Sequence, residues 1–292
     1  MLGCYNLPLI SIKRGVRNFN IIYANCSKGQ SNKGVGNVIK NLGDITSLFK
    51  NMKQTDIPAK YFDNKKGYSK LRTEVYDTHE RGDIPFTIGG DHSIAIGSVA
   101  GSLDFYKNDL TVIWIDAHAD INTYEASQTK NLHGMPLSFL TGLDNTFINM
   151  HGNELSTNNL LYYGLRDVDV FEKKFLNENK IQYMTAIELM EDVYDYNDKL
   201  IIPTEKVHLS VDVDVLDPTF MSSTGTTVSK GLTSLTLYNL IRRINDKSDI
   251  VAIDLVEYNP ECANYEQQQI IDHSIMTELV NKLLKIGRKD TK

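Results

Sequence analysis

The sequence predicts an α/β fold, a three-layer α/β/α sandwich around a mostly parallel central sheet. Three observations carry that prediction. Short runs rich in β-branched and aromatic residues end abruptly in polar or glycine-rich residues, as buried strands do. Between them lie stretches of helical length whose apolar residues are spaced three and four apart. The alternation of the two places crossover helices on both faces of a parallel sheet. No internal repeat, low-complexity segment or Pro/Gly/Ser linker divides the chain, so residues 1–292 are expected to form one domain.

Taken in order, the polar stretch from Lys60 to Arg72 reads as a surface loop. Ile84-Pro85-Phe86-Thr87-Ile88 and Leu110-Thr111-Val112-Ile113-Trp114-Ile115 read as strands by their length and β-branched content. Leu160-Leu161-Tyr162-Tyr163, ahead of Gly164, is a weaker strand, followed by helical spacing over Val168 to Asn179 and Thr185 to Tyr194. Val207-His208-Leu209-Ser210-Val211 and Ile250-Val251-Ala252-Ile253 complete the strands, with helices over Ser234 to Asn245 and Glu266 to Ile286.

Composition excludes little but bounds the compartment. Of 292 residues, 41% are hydrophobic and 23% charged, ordinary for a soluble globular protein, and the net charge of −6 argues against nucleic acid or an anionic membrane as partner. Cys4, Cys26 and Cys262 show no Cys-x-x-Cys spacing, which suits free thiols in a reducing compartment. The N-terminal basic residues follow a short, Pro-interrupted apolar stretch, the reverse of a signal peptide. No apolar run reaches the ~18 residues a membrane helix needs. The expectation is a cytoplasmic protein.

Three motifs carry chemistry. Asp116-Ala117-His118-Ala119-Asp120 follows a strand directly, where alternate residues of an extended chain face one way. Even if the chain bends there, the three polar side chains remain neighbours, and unpaired charges at a buried strand end are costly. In Ser210-Val211-Asp212-Val213-Asp214-Val215-Leu216-Asp217-Pro218, Asp212 and Asp214 share a face opposite the valines, so like charges repel unless a cation lies between them. Asp217-Pro218 reads as the following turn. Gly89-Gly90-Asp91-His92-Ser93 lets the backbone turn sharply and presents His92 at a strand's end.

In open α/β sheets, sites gather beyond the carboxyl ends of the strands, and all three motifs lie there. The pooled ligands are His92, Asp116, His118, Asp120, Asp212 and Asp214: four carboxylates, which balance two divalent ions. Oxygen donors mixed with imidazole favour Mn²⁺, with Fe, Co, Ni or Zn open. Two such ions bridge one water and make it hydroxide near neutral pH. Because the carboxylates already cancel the metal charge, a cationic substrate is expected. No Lys/Arg clamp of the kind a phosphatase or nuclease would want accompanies the motifs.

With these motifs the sequence resembles the ureohydrolase family, the arginase and agmatinase group. The resemblance runs from Ser27-Lys28-Gly29-Gln30, through the three motifs, to Asp254-Leu255-Val256-Glu257-Tyr258-Asn259-Pro260. It implies an α/β sheet bearing a two-manganese centre that hydrolyses a guanidinium to urea and an amine. By it, His92, Asp116, Asp120 and Asp214 serve one ion or the bridge, while His118 and Asp212 complete the second. Glu257 matches the acid that holds the guanidinium, and His133, in Asn131-Leu132-His133-Gly134, matches the histidine that protonates the departing amine. Asp120 accepts the proton of the attacking water.

Asn122, Thr129 and Asn131 fall where the family's arginine-specific members hold the α-carboxylate. Asp169 and Glu172 fall where the α-amino group is approached, and Thr226 of Thr224-Gly225-Thr226 matches a substrate-side hydroxyl. The implied reaction is L-arginine to L-ornithine and urea by a metal-bridging hydroxide, with agmatine or another guanidino compound as the alternative substrate. A homotrimer or hexamer is also implied. The sequence departs from the family at Thr129-Lys130, where Ser-Gly is usual, at Val228 in place of proline, and at Leu235-Thr236, where animal-type members carry an Arg–Glu pair at trimer contacts.

Overall fold

The computed structural model describes residues 17–31, 34–150, 152–191 and 201–286. Eight strands form one sheet: β1 (Phe19–Ala24), β2 (Lys53–Ile57), β3 (Ile84–Gly89), β4 (Leu110–Ile115), β5 (Leu160–Leu165), β6 (Gln182–Thr185), β7 (Lys206–Asp212) and β8 (Asp249–Val256). Their order across the sheet is β2-β1-β3-β8-β7-β4-β5-β6, and every neighbouring pair is parallel.

Helices cover both faces, as the alternation predicted. They are α1 (Val38–Leu42), α2 (Lys66–Glu80), α3 (Ala95–Tyr106), α4 (Pro136–Leu140), α5 (Val170–Glu178), α6 (Ala186–Glu191), α7 (Ser234–Lys247) and α8 (Glu266–Leu283). Strand β4 shows the two-sided burial residue by residue. Ile113 and Ile115 pack in the core with Leu237 and Leu240 of α7 and Leu279 of α8. Val112 and Trp114 pack on the other side with Val99 and Leu103 of α3. A strand buried on both faces has no polar side, which is why its sequence is continuously apolar.

The structure differs from the sequence reading at several elements. Lys60 to Arg72 is not a loop: a 3₁₀ turn spans Ala59–Asn64 and α2 starts at Lys66. That helix is polar over most of its surface and buries only a stripe, with Tyr68, Leu71 and Val75 spaced three and four apart. Strands β2 and β6 went unread because they sit at the two sheet edges, where KQTDI and QYMT are largely exposed and carry no apolar run. Helix α3 went unread for the opposite reason. It is buried from Ala95 to Leu103 and has no polar stripe to mark a period. Cys4 and Tyr194 lie outside the described residues. Among the described residues, no helix is long and apolar enough to cross a membrane.

Candidate metal centre and substrate pocket

Strands β3, β8, β7 and β4 are consecutive neighbours in the middle of the sheet and run the same way, so their carboxyl ends open at one edge. Each delivers one part of the site. After β3 the chain passes under the segment following β1, with Gly90 N donating to Ala24 O at 2.9 Å and Asp91 N to Cys26 O at 3.0 Å. A Cβ at Gly90 would lie 1.8 Å from the Cys26 carbonyl oxygen. The glycine therefore serves close backbone approach, whereas the sequence suggested a sharp turn. Asp91 then accepts from Ser93 N and opens the turn His92–Ile94 that leads into α3.

His92 is 1% exposed and stacks on Trp114, ring centroids 3.9 Å apart and 6° from parallel. Its Nε2 lies 2.9 Å from Ser210 Oγ. Its Nδ1 faces Asp116 Oδ2 at 3.0 Å, Asp120 Oδ2 at 3.3 Å and Asp212 Oδ2 at 3.3 Å. Yet Nδ1 has no hydrogen-bond partner among the described residues. With Nε2 donating to Ser210, a lone pair at Nδ1 points among three carboxylate oxygens, an arrangement of acceptors that only a cation or a proton can hold together.

The second half of the site forms where β4 and β7 end. Neither segment stays extended, as the alternation had suggested. Beyond Ile115 the chain bends, with Asp116 Oδ1 accepting from His118 N at 2.7 Å and Asp120 in the left-handed region at φ 49°. Beyond β7 a turn over Val213–Val215 is capped by Asp212, whose Oδ1 accepts from Asp214 N at 2.8 Å. These bends turn His118 Nδ1 to 3.1 Å from Asp214 Oδ2 and 3.4 Å from Asp116 Oδ1. Thr226 Oγ donates to Asp214 Oδ2 at 3.1 Å.

Two groups of ligand atoms result, His92–Asp116–Asp212 and Asp116–His118–Asp214, with the atoms of each group within 4.8 Å of one another. Asp116 belongs to both. This grouping differs from the partition the resemblance implied: Asp212 sits with His92, and Asp214 with His118. Asp120 borders the first group through its contact with His92.

Electrostatics make the same point. Against the burial that opposes it, His118 and His92 hold Asp116 well below the usual carboxylate range. Burial and the charge of Asp214 and Asp116 push Asp212 far up, and burial with Asp116 raises Asp214. Burial and Asp116 lift Asp120 to about 6. Both histidines are drawn well above their ordinary value by these carboxylates despite their own burial. Only cations or protons can offset the charge of such a cluster, and the two groups of ligand atoms fit divalent cations.

A further buried carboxylate stands at the end of β8. Glu257 takes φ 67° and is 1% exposed, its N–H donating to Gly90 O at 2.8 Å. Its Oε1 accepts from His92 N at 2.9 Å and lies 3.2 Å from His133 Nδ1, while its Oε2 accepts from Gln30 Nε2 at 2.5 Å. Burial opposes a charge on His133, but the hydrogen bond and charge of Glu257, helped by Asp120 and Asp91, raise it to about 9.

A cavity of about 150 Å³ opens beside these groups. Among the residues singled out from sequence, His118, Asp120, Asp212 and Asp214 line its metal side, and Asn122, Thr129, Asn131, His133, Asp169, Glu172 and Thr226 its remainder. His92, Asp116 and Glu257 lie behind this lining. Glu172 is 5% exposed and spends its carboxylate on Ile121 N and Asp169 N, both at 3.0 Å, so it docks the start of α5 as a capping box. Asp169 accepts from Asn122 Nδ2 at 2.7 Å.

Sequence reasoning missed Ser127 and Asp167, which also line the cavity, and the role of Gln30 against Glu257. None of them sits in a pattern of chemistry-bearing residues. The departure at Thr129-Lys130 has a structural account. Lys130 takes φ 61°, where glycine is the usual occupant, and its Nζ turns away to the carbonyls of Tyr124 and Glu125 at 2.5 and 3.1 Å.

Comparison with known proteins agrees. Residues 29–281 match the model described as "Arginase family". The arginase of Coccidioides posadasii is 41% identical over 211 residues, covering 65% of this chain and 64% of that protein. The arginase of Saccharomyces cerevisiae is 40% identical over 200 residues, covering 63% of this chain and 59% of that protein. The chain thus spans less than two thirds of the length of these curated relatives. Among solved structures, Bacillus subtilis arginase superposes with a TM-score of 0.79 at 28% identity, over 92% of this chain and 98% of that one. Entamoeba histolytica arginase, solved in complex with L-ornithine, superposes with a TM-score of 0.81 at 25% identity, over 92% and 99%. With the match running through all four strand ends that build the site, this chain belongs to the arginase family.

Proposed function

We propose that this chain hydrolyses L-arginine to L-ornithine and urea, using two manganese ions held by His92, Asp116, His118, Asp120, Asp212 and Asp214. The observation that carries the reading is the sharing of Asp116 by two imidazole–carboxylate groups beside a buried carboxylate, Glu257, already ringed by N–H donors. Two divalent ions, when bound there, supply water acidified enough to act as a nucleophile near neutral pH.

The side chains divide the remaining work. Glu257 meets the planar guanidinium with charge-assisted hydrogen bonds and fixes its plane. Asp120, beside the two ligand groups, would accept a proton from a water held there. His133, raised to about 9, stays protonated at neutral pH; with Nδ1 on Glu257, its Nε2 delivers the proton the departing amine needs. Asn122, Thr129 and Asn131 take the α-carboxylate and Asp169 the α-amino group, with Glu172 and Thr226 holding the cavity wall. Acids and amides together at that end favour an amino acid over agmatine, which has no carboxylate to offer. Following the family, we also propose a cytoplasmic homotrimer or hexamer.

The test is urea release from L-arginine and from agmatine by purified protein loaded with Mn²⁺, with metal content determined on the same sample. Turnover of arginine and about two ions per chain are expected, with loss of activity by at least ~100-fold in His118→Ala and Asp120→Ala. Turnover of agmatine alone, or of neither compound above those controls, sinks the reading.

A further inference from the structure

Gln30 ends the Ser27-Lys28-Gly29-Gln30 segment, to which no chemistry has been given above, yet it touches the buried carboxylate of Glu257. Its segment is tied down on both sides, with Gly29 N donating to Asp91 Oδ2 at 2.8 Å and Gly29 O accepting from His133 N at 3.1 Å. The side-chain amide then donates from Nε2 to Glu257 Oε2 at 2.5 Å. Its other end, Oε1, is buried and has no partner among the described residues. The amide cannot simply be reversed, because Oε1 would then face a carboxylate oxygen as acceptor against acceptor.

Glu257 is asymmetric as a result. Oε1 is filled by His92 N and His133 Nδ1, whereas Oε2 carries only the Gln30 donor among the described residues. An unmet buried acceptor is expensive, so Gln30 Oε1 asks for a donor. Next to it, Glu257 Oε2 keeps a free lone pair. Beyond the Nε2–Oε2 bond that joins them, Gln30 Oε1 and Glu257 Oε2 both keep acceptor capacity, which matches a group with several N–H donors in a planar fork and no acceptor, a guanidinium.

We propose that Gln30 is a substrate-binding residue that selects for the guanidinium, its Oε1 accepting one guanidinium N–H while its Nε2 holds Glu257 Oε2 towards another. This rests on the guanidino-hydrolase reading above. It adds that the selection is made by a pair, Glu257 with Gln30, and that a ureido group is rejected because its carbonyl oxygen would meet two acceptors.

The experiment replaces Gln30 by Met and, separately, by Leu; neither can donate, and Met offers only a weak thioether acceptor while Leu offers none. Steady-state kinetics with L-arginine and inhibition by L-ornithine are measured on Mn²⁺-loaded protein. L-Ornithine has the same amino-acid end but lacks the guanidinium carbon and terminal nitrogens. For both variants KM for L-arginine is expected to rise about tenfold, with the loss falling on KM more than on kcat, as for an interaction made in the bound ground state. The Ki of L-ornithine and the metal content are expected to stay within about twofold of the unsubstituted protein.

An unchanged KM overturns the proposal. So does a parallel rise in KM and in the ornithine Ki, or a loss of metal, which would mark Gln30 as a support of the loop. If the unsubstituted protein hydrolyses arginine and the variants match it, only the role of Gln30 falls. If the unsubstituted protein hydrolyses no guanidino compound, the functional reading falls and this proposal with it.

Discussion

His79 illustrates how far a single buried side chain sets the pH range of this fold. Its Nε2 lies 2.9 Å from Ser102 Oγ, which lies 2.9 Å from His208 Nδ1, and His208 Nε2 lies 3.0 Å from Asp254 Oδ2. Burial, then the neighbouring His208 and Arg17, push His79 down from 6.5 to about 3. The sign follows from linkage. Unfolded chains take up a proton at His79 near 6.5 while the folded state refuses it until about 3, so stability is full above 6.5 and is lost as pH falls across that window. We predict that His79→Gln flattens this loss: between pH 6.5 and 4, urea melts should show the unsubstituted protein losing about 1 kcal/mol per pH unit more than the variant. Equal slopes would mean that His79 is hydrated or already charged. At this scale the ligands were legible in the sequence because Asp116-Ala117-His118-Ala119-Asp120 and Asp212-Val213-Asp214 crowd charge where a strand should be apolar. Gln30 was not legible as a Glu257 partner, since 227 residues separate the two and a lone glutamine carries no pattern.

The buried strands β3, β4, β7 and β8 were readable as apolar runs; β1, buried at every residue, went unread, as did the mostly polar helix α2 and the small-residue helix α3. Helix α3 is the case in point. It carries His92 just before its first turn, and it lies so close to α2 that a Cβ at Gly101 would meet the Arg72 carbonyl oxygen at 2.5 Å. In a free helix, replacing glycine by alanine stabilises by about 1 kcal/mol. Here the clash is with backbone, which cannot turn aside as a side chain can, so the sign reverses. Gly101→Ala should destabilise by ~1–3 kcal/mol, lowering the melting temperature by several degrees in a chain of this length. A rise in melting temperature would show that α2 and α3 are further apart than described. The same close approach explains why composition hid this helix: glycine, alanine and serine at its contacts give neither a moment nor a bulky apolar run. Strand ends, by contrast, were legible as positions but not as shapes. The bends at Asp120 and over Val213–Val215 use aspartates, a type that tolerates positive φ and caps turns, but the extended reading of the motifs passed over that signal.

At the scale of the whole molecule, the sheet works as a device for concentrating negative charge. Three neighbouring parallel strands, β8, β7 and β4, bring carboxylates from Asp116, Asp120, Asp212, Asp214 and Glu257 to one edge, all of them at most 7% exposed. Such a cluster costs stability by repulsion and desolvation, and it recovers that cost only when cations or protons enter. A substitution that removes one of these charges should therefore change sign with metal. Asp212→Asn keeps the shape and an acceptor, removes one charge, and weakens a group that includes His92 and Asp116. In metal-free protein above pH 7 it should raise the melting temperature, because the amide needs neither a buried charge nor the uptake of a proton to sit in this cluster. With Mn²⁺ in excess it should lower the melting temperature relative to the unsubstituted protein, because ligand-linked stabilisation grows as RT ln(1 + [M]/Kd) and reaches ~3 kcal/mol per site at a hundredfold excess over Kd. Paired thermal melts with and without chelator read both signs. If the variant is destabilised to the same extent in both, then Asp212 is a structural cap of the Val213–Val215 turn and the charge at this edge is not what metal binding offsets.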